Sequence, residues 1–182
     1  MAILYLDIET TGLDCETNQV ISIQVQVDNN PLEILPSWET DEPTILLKCI
    51  DKMKGLIAME FVICVGFNIL KFDLPFLFSR SCRYELLSSN ELFAHFFTDL
   101  AHIDLRQVLL AYNKWRFKGL NWDNVLKKYG FPPAKGKGDV PRWFANGQYD
   151  KILAYVTSEF EPIPTIYWKI RKGDIRKDYF LK

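Results

Sequence analysis

Residues 3–13, Ile-Leu-Tyr-Leu-Asp-Ile-Glu-Thr-Thr-Gly-Leu, run an apolar strand into two carboxylates, Asp7 and Glu9, and then into a turn. Side chains alternate faces along a strand, so Asp7 and Glu9 project together while Leu6 and Ile8 enter the core. Adjacent carboxylates repel unless a positive charge sits between them, and hard divalent cations such as Mg²⁺ suit an all-oxygen site. The spacing alone is not diagnostic. The chain holds four acid-x-acid pairs (Asp7/Glu9, Asp14/Glu16, Glu39/Asp41 and Glu159/Glu161), where about three are expected by chance. The apolar strand in front of the first pair and Thr10-Thr11-Gly12 behind it set that pair apart.

Working outward, clean alternation over 19–27 predicts a second strand and residues 32–36 a third, with turns at 14–18 and 28–31. Asp41-Glu42-Pro43 predicts a helix start with Asp41 as N-cap, continued by Ile45, Leu46, Cys49, Ile50, Met53, Leu56 and Ile57 at helical spacing. The apolar run Phe61–Phe67 reads as a buried strand, and a second helix is expected from Asp73-Leu74-Pro75. Asp104 and Gln107 have the spacing of a capping box for a third helix. Asn121 and Gly130 bracket a fourth helix as cap and stop. A loop follows at Lys135–Asp139, then a helix over 148–158 and a last one from Pro162 or Pro164 into a basic tail. The order, βββαβα and then helices, predicts one α/β domain over 1–182 with a mixed sheet.

Composition fits this: 48% hydrophobic and 25% charged residues describe an ordinary globular chain. No apolar run approaches the roughly 18 residues of a membrane span, and the strand begins with no basic n-region, so neither membrane nor signal peptide is expected. Cys15, Cys49, Cys64 and Cys82 form no C-x-x-C and neighbour no histidine, which argues against zinc and for reduced thiols in a cytoplasmic protein. Net charge is −1, but it is unevenly spread. Residues 1–60 carry 3 basic and 11 acidic side chains, residues 61–111 carry 4 and 5, and residues 112–182 carry 15 and 7. An acidic half able to hold metal beside a basic half able to hold phosphates suits a phosphodiester substrate; an uneven solvated surface is the alternative.

Two more segments complete a pattern. Gly66-Phe-Asn-Ile-Leu-Lys-Phe-Asp-Leu-Pro-Phe-Leu77 places Asn68 and Asp73 at a strand–helix junction. Tyr155-Val-Thr-Ser-Glu159 puts a phenol and a carboxylate on one helix face. This order of acids, with a tyrosine four residues before the last, resembles the DEDD superfamily of 3′–5′ exonucleases in its tyrosine subclass. It is most similar to the proofreading domain of family B DNA polymerases and its stand-alone relatives. Asp7-Ile-Glu-Thr-Thr-Gly matches Asp-x-Glu-Thr-x-Gly, and Asn68 through Phe72-Asp73-Leu74-Pro75 matches Asn-x(2–3)-Phe/Tyr-Asp with the Leu-Pro that often follows. The third segment departs from Tyr-x-x-x-Asp by carrying Glu159. The histidine subclass does not fit, since His95 and His102 fall well before Tyr155. The chain has no room for a polymerase palm and fingers, so a free-standing nuclease is expected.

The resemblance implies a ribonuclease H-like (DnaQ-like) fold and hydrolysis to nucleoside monophosphates, with single-stranded DNA favoured and RNA possible. It implies two Mg²⁺ or Mn²⁺ ions about 3.5–4 Å apart. Asp7 would bridge them, Glu9 and Glu159 would complete the first site, and Asp73 would hold the second through water. Tyr155 would orient the attacking water. Thr10, Thr11, Gly12, Leu13, Asn68 and Phe72 are the implied substrate contacts, Leu13 and Phe72 as a wedge and a stacking ring or else as core. Association with replication or repair proteins is a further implication. A catalytically weak relative that binds nucleic acid or a polymerase is the rival from another class. Asp104 is expected as an N-cap, the Lys135 loop as a phosphate contact, and Trp115, Trp122 and Trp143 in the core, with single-strand stacking as the alternative.

Overall fold

The computed structural model describes residues 1–133, 135–136 and 138–174. The 3–13 stretch forms β1 (Ala2–Thr10), which pairs antiparallel with β2 (Val20–Val27). β2 pairs antiparallel with β3 (Glu33–Pro36). On the other side β1 lies parallel to β4 (Val62–Gly66), which lies parallel to β5 (Ala101–Asp104). The sheet is therefore mixed, with order β3-β2-β1-β4-β5, and the strand carrying Asp7 and Glu9 is central.

The alternation read from β1 divides the core. Leu4, Leu6 and Ile8 pack into one layer against α1 (Glu42–Met59) and α2 (Asp73–Arg83), while Ile3 and Tyr5 face a second layer with α5 (Trp122–Tyr129) and α8 (Pro162–Arg171). The α1 stripe of Ile45, Leu46, Cys49, Ile50 and Met53 is buried as expected, and Asp41 caps the helix by accepting from Thr44 N at 2.8 Å. β4 can close on β1 because residue 66 is glycine: a Cβ there would stand 2.5 Å from the Leu6 carbonyl oxygen.

Four departures from the expected elements stand out. β5 is a fifth strand where none was expected. A helix, α3 (Ser89–Phe93), opens with a reciprocal Ser88/Glu91 capping box and passes into a π-helical turn over Ala94–Thr98. The helix after Asp104, α4 (Leu105–Val108), is four residues long and gives way to a 3₁₀ turn at Leu109–Asn113. A short helix, α6 (Val140–Ala145), precedes α7 (Tyr149–Phe160). The basic tail expected after α8 lies largely outside the described residues. Among those described, no helix is long and apolar enough to cross a membrane. All four cysteines are free. Burial pushes the Cys49 thiol up to about 12, and Cys64 is displaced in the same direction for the same reason.

One buried ion pair ties the acidic half together. Glu42, at the start of α1, accepts from Val20 N at 2.8 Å, from Arg80 Nε at 2.8 Å and Arg80 Nη2 at 2.7 Å, and from the Tyr84 hydroxyl at 2.7 Å. Arg80 Nη1 donates to the Cys15 carbonyl at 3.1 Å. Removing one partner of a buried pair strands the other charge. Arg80→Met is therefore expected to cost about 3–5 kcal/mol in urea unfolding. Adding Glu42→Gln should recover part of that loss, because the amide oxygen still accepts from Val20.

Candidate active site

β1 outruns its parallel partner. Pairing with β4 ends at Tyr5↔Val65, so the Ile8 N–H on that side has no strand to meet. Asp73, the first residue of α2, takes it: Asp73 Oδ1 accepts from Ile8 N at 3.1 Å, with Asp73 only 3% exposed. A carboxylate thus substitutes for the missing strand and fixes α2 against the end of β1.

Between β4 and α2 the backbone turns through Asn68, whose φ is 69°. The buried Asp104 carboxylate holds this turn. It accepts from Asn68 N at 2.8 Å and Leu70 N at 3.2 Å, and caps α4 by accepting from Arg106 N at 2.9 Å. Asp104 is therefore an N-cap, as its sequence position suggests, and also the cradle of the junction loop. Arg106 Nη1 donates to Asn68 Oδ1 at 2.8 Å, and Arg106 Nε to the Leu120 carbonyl at 3.0 Å.

Helix α7 supplies the third segment. Tyr155 is buried, edge-on to Trp143 at 6.2 Å, and its hydroxyl hydrogen-bonds the Glu159 carboxylate one turn on. The Glu159 backbone carbonyl accepts from Trp122 Nε1 at 3.2 Å, tying the end of α7 to the start of α5. α7 ends at Phe160 and α8 starts at Pro162, so Glu159 lies at the last turn before a break. Glu161 is exposed and does not line this cleft.

These segments enclose a cleft of about 460 Å³ lined by Asp7, Glu9, Asn68, Phe72, Asp73, Tyr155 and Glu159. The structure also places Phe67, Arg106, Asn121, Trp122 and Gly138 on its walls. Arg106 had no local signal: its place depends on contacts with Asn68 and Leu120, both far away in sequence. Thr10, Thr11, Gly12 and Leu13 are not among the lining residues. They build the turn that leaves β1. Thr10 Oγ1 donates to the Gly12 carbonyl at 2.7 Å, Gln19 N donates to Thr11 Oγ1 at 3.0 Å, and a Cβ on Gly12 would meet Asn18 Oδ1 at 2.5 Å. Leu13 is 86% exposed at the tip rather than in the core. Lys135 lines a neighbouring cavity that shares Tyr155, and Lys137 lies outside the described residues. Trp122 is buried and Trp143 half-buried, but Trp115 is 76% exposed, which overturns its expected place in the core.

The electrostatics are those of crowded acids. Burial, followed by the charges of Asp73, Glu159 and Glu9, raises the Asp7 carboxyl well above the ordinary range. Burial, with Asp104 and Glu159 adding, pushes Asp73 up to about 7 against the pull of the Ile8 N–H. Burial and the Glu159 carboxylate drive the Tyr155 phenol upward, so it stays protonated and donates. The donor set is all oxygen and suits a hard divalent cation. Among the described residues, no three His, Cys, Asp or Glu side chains are already gathered at metal-ligating spacing.

The chain belongs to the RNase H superfamily, whose family model matches residues 4–161. No curated protein matches it in sequence. Among solved structures it is similar to the family B DNA polymerase of the hyperthermophilic archaeon Pyrobaculum calidifontis, with TM-score 0.73 and 15% identity, over 94% of this chain and 24% of that one. It is also similar to the zinc-bound E. coli ExoI–ssDNA complex (TM-score 0.54, 13% identity, 94% and 43% covered) and to ExoI in an ExoI/SSB-Ct complex (0.53, 15%, 94% and 43%). The chain spans about a quarter of that polymerase and less than half of the exonuclease. The ribonuclease H-like mixed sheet read from the motifs is met, and the fold is like those of the polymerase and the exonuclease.

Since folding raises the pKa of Asp7 and Asp73, their ionisation opposes folding. That penalty is absent below the ordinary carboxylate range and is complete for Asp73 once the pH has passed about 7. Asp7→Asn removes the central charge. In EDTA at pH 8 it is expected to melt higher than the parent by about 2–4 °C for each kcal/mol relieved, with the gap closing as the pH is lowered to 4. A parent that melts no lower than the variant at pH 8 contradicts the crowding argument.

Proposed function

We propose that this chain is a divalent-metal-dependent 3′–5′ exonuclease that releases nucleoside monophosphates, with single-stranded DNA as the favoured substrate. The observation that carries the reading is the convergence of Asp7, Glu9, Asp73, Tyr155 and Glu159, from three distant segments, on one cleft in an RNase H superfamily fold. Asp7, Glu9, Asp73 and Glu159 are the residues to hold two Mg²⁺ or Mn²⁺ ions, which when bound supply a hydroxide at neutral pH and charge stabilisation for the leaving 3′ oxygen.

The chain's own groups do the positioning. Tyr155, kept protonated by burial and by Glu159, orients the attacking water through its hydroxyl and does not act as base. Arg106, fixed by Asn68 and Leu120, is the one cation lining the cleft among the described residues and lies where a phosphate meets the acids. Phe72, half-buried and tilted against Phe76 at 5.5 Å, offers its ring to the terminal base. Leu13 stands exposed at the turn beyond Glu9, in keeping with a wedge rather than a core residue. The four free thiols are in keeping with a reducing compartment such as the cytoplasm. The ssDNA and SSB-Ct partners of the E. coli and related ExoI structures support nucleic acid as substrate and replication or repair proteins as associates.

The decisive assay incubates the protein with 5′-labelled DNA and RNA oligonucleotides in Mg²⁺, Mn²⁺ or EDTA. Stepwise shortening of DNA from the 3′ end is expected, abolished by EDTA, by a 3′ block and by Asp7→Ala. Internal cutting of the blocked oligonucleotide at the same rate sinks the exonuclease reading, and a preference for RNA reassigns the substrate.

Glu159 gives a finer test. Glu159→Ala should cripple turnover while Glu161→Ala should not. Glu159→Asp draws the carboxylate back by about 1.5 Å, and a misplacement of about 1 Å can cost on the order of 100-fold in rate. Mn²⁺ should restore part of that loss. A large gain with aspartate points instead to a degraded site.

A further inference from the structure

Residues 105–122 contain no acid and carry Arg106, Lys114, Arg116 and Lys118. Within this run, Asn113-Lys-Trp-Arg-Phe-Lys118 alternates cations with aromatic rings, and those rings are outside the core. Trp115 is 76% exposed, the most exposed aromatic side chain among the described residues, and Phe117 is 51% exposed. A single exposed ring is ordinary on a protein surface, but two exposed rings two residues apart and interleaved with cations form a patch suited to a partner.

The loop is built, not slack. Trp115 N donates to the Leu110 carbonyl at 2.9 Å, Arg116 N to Asn113 O at 3.0 Å and Leu120 N to Phe117 O at 3.0 Å. Asn113 Nδ2 donates to the Arg116 and Lys118 carbonyls. Lys114 and Trp115 sit in succession at φ 52° and 57°, left-handed backbone that residues with a Cβ rarely adopt. The turn thus holds the indole outward in a conformation its residue types disfavour.

The loop is also continuous with the cleft. Arg106 before it and Asn121 and Trp122 after it all line that cavity. The Arg106 guanidinium lies 4.9 Å from the centre of the Phe117 ring while its Nη1 bonds Asn68. A polyanion whose end occupies the cleft meets this strip of cations and rings beside it.

We propose that the 113–118 loop is a binding platform for single-stranded nucleic acid, with Trp115 and Phe117 stacking on bases upstream of the terminal nucleotide and Lys114, Arg116 and Lys118 meeting the intervening phosphates. The proposal rests on the nuclease reading only for the strand's direction. A duplex offers no free base faces to the rings, and a neutral apolar partner leaves the three cations unmatched.

The test measures binding without turnover. A dye-labelled oligo-dT of about twelve nucleotides is titrated by fluorescence anisotropy into Asp7→Ala protein, with and without Trp115→Ala or the triple Lys114→Ala/Arg116→Ala/Lys118→Ala change. Trp115→Ala should weaken binding by about 5- to 150-fold, the range of one lost base stack. The triple variant should flatten the dependence of log affinity on log salt by about 2, at about 0.7 per phosphate of a single strand. Phe61→Ser, which removes an aromatic that is 61% exposed elsewhere on the surface, should leave affinity unchanged. Parental affinity in both loop variants overturns the platform, as does an equal loss with Phe61→Ser. So does self-association of the parent that Trp115→Ala abolishes while oligonucleotide binding persists. Because binding is read apart from cleavage, a protein that cuts nothing yet loses oligo-dT on Trp115→Ala refutes the nuclease reading alone.

Discussion

The hydrogen bond from Ile8 N to Asp73 governs this molecule. A central strand that extends past its parallel neighbour leaves backbone donors facing a gap, and buried donors are almost always satisfied. Here the acceptor is a carboxylate delivered by the next helix, which locks α2 to β1 and sets Asp73 beside Asp7. The same bond lowers the cost of burying Asp73, but its carboxyl is still pushed up to about 7. The site and the fold are thus joined at one atom pair, and the crowding of acids follows from how the sheet ends.

The surroundings are arranged to hold that end open. Asp104 gathers three backbone N–H groups and so shapes the strand–helix junction from a different strand. Arg106, on the adjoining helix, brings a cation to the cleft wall. Trp122 pins the backbone of Glu159 and the Tyr155 hydroxyl bonds its carboxylate, so the residue that departs from the Tyr-x-x-x-Asp pattern is held at main chain and side chain alike. The hydrophobic layers on the two sheet faces carry these elements, and the polar contacts at their ends set the geometry.

Much of this was legible in the chain. The alternation in β1 and β2, the Asp41 and Asn121 caps and the Gly130 stop are local signals that fold as read. The acids of the cleft were legible because their spacing reflects strand and helix periodicity. What escaped was non-local. β5 is an edge strand of four residues in which Ala101, His102 and Ile103 are only half-buried, so no apolar alternation announces it. α3 and its π turn lie in an aromatic-rich stretch whose period is not that of an α-helix. Hydrophobicity alone places Trp115 inside, whereas the left-handed turn at Lys114 and Trp115 puts it outside. Arg106 owes its place to residues 14 and 38 positions away.

The four free thiols divide this molecule in a way useful at the bench. Cys49 and Cys64 are buried with their thiols held in the protonated form, unreactive toward alkylating reagents and peroxide alike. Cys15 and Cys82 are partly open, and both adjoin the Glu42–Arg80 pair: the Cys15 carbonyl holds Arg80, and Cys82 lies two residues along α2. A maleimide dye or spin label added to the native protein is thereby steered to the turn behind β1 and to the helix packed beside it. The chain thus comes with a natural pair of reporter positions, and with a point at which oxidative damage would be felt first in the stapled acidic half rather than in the core.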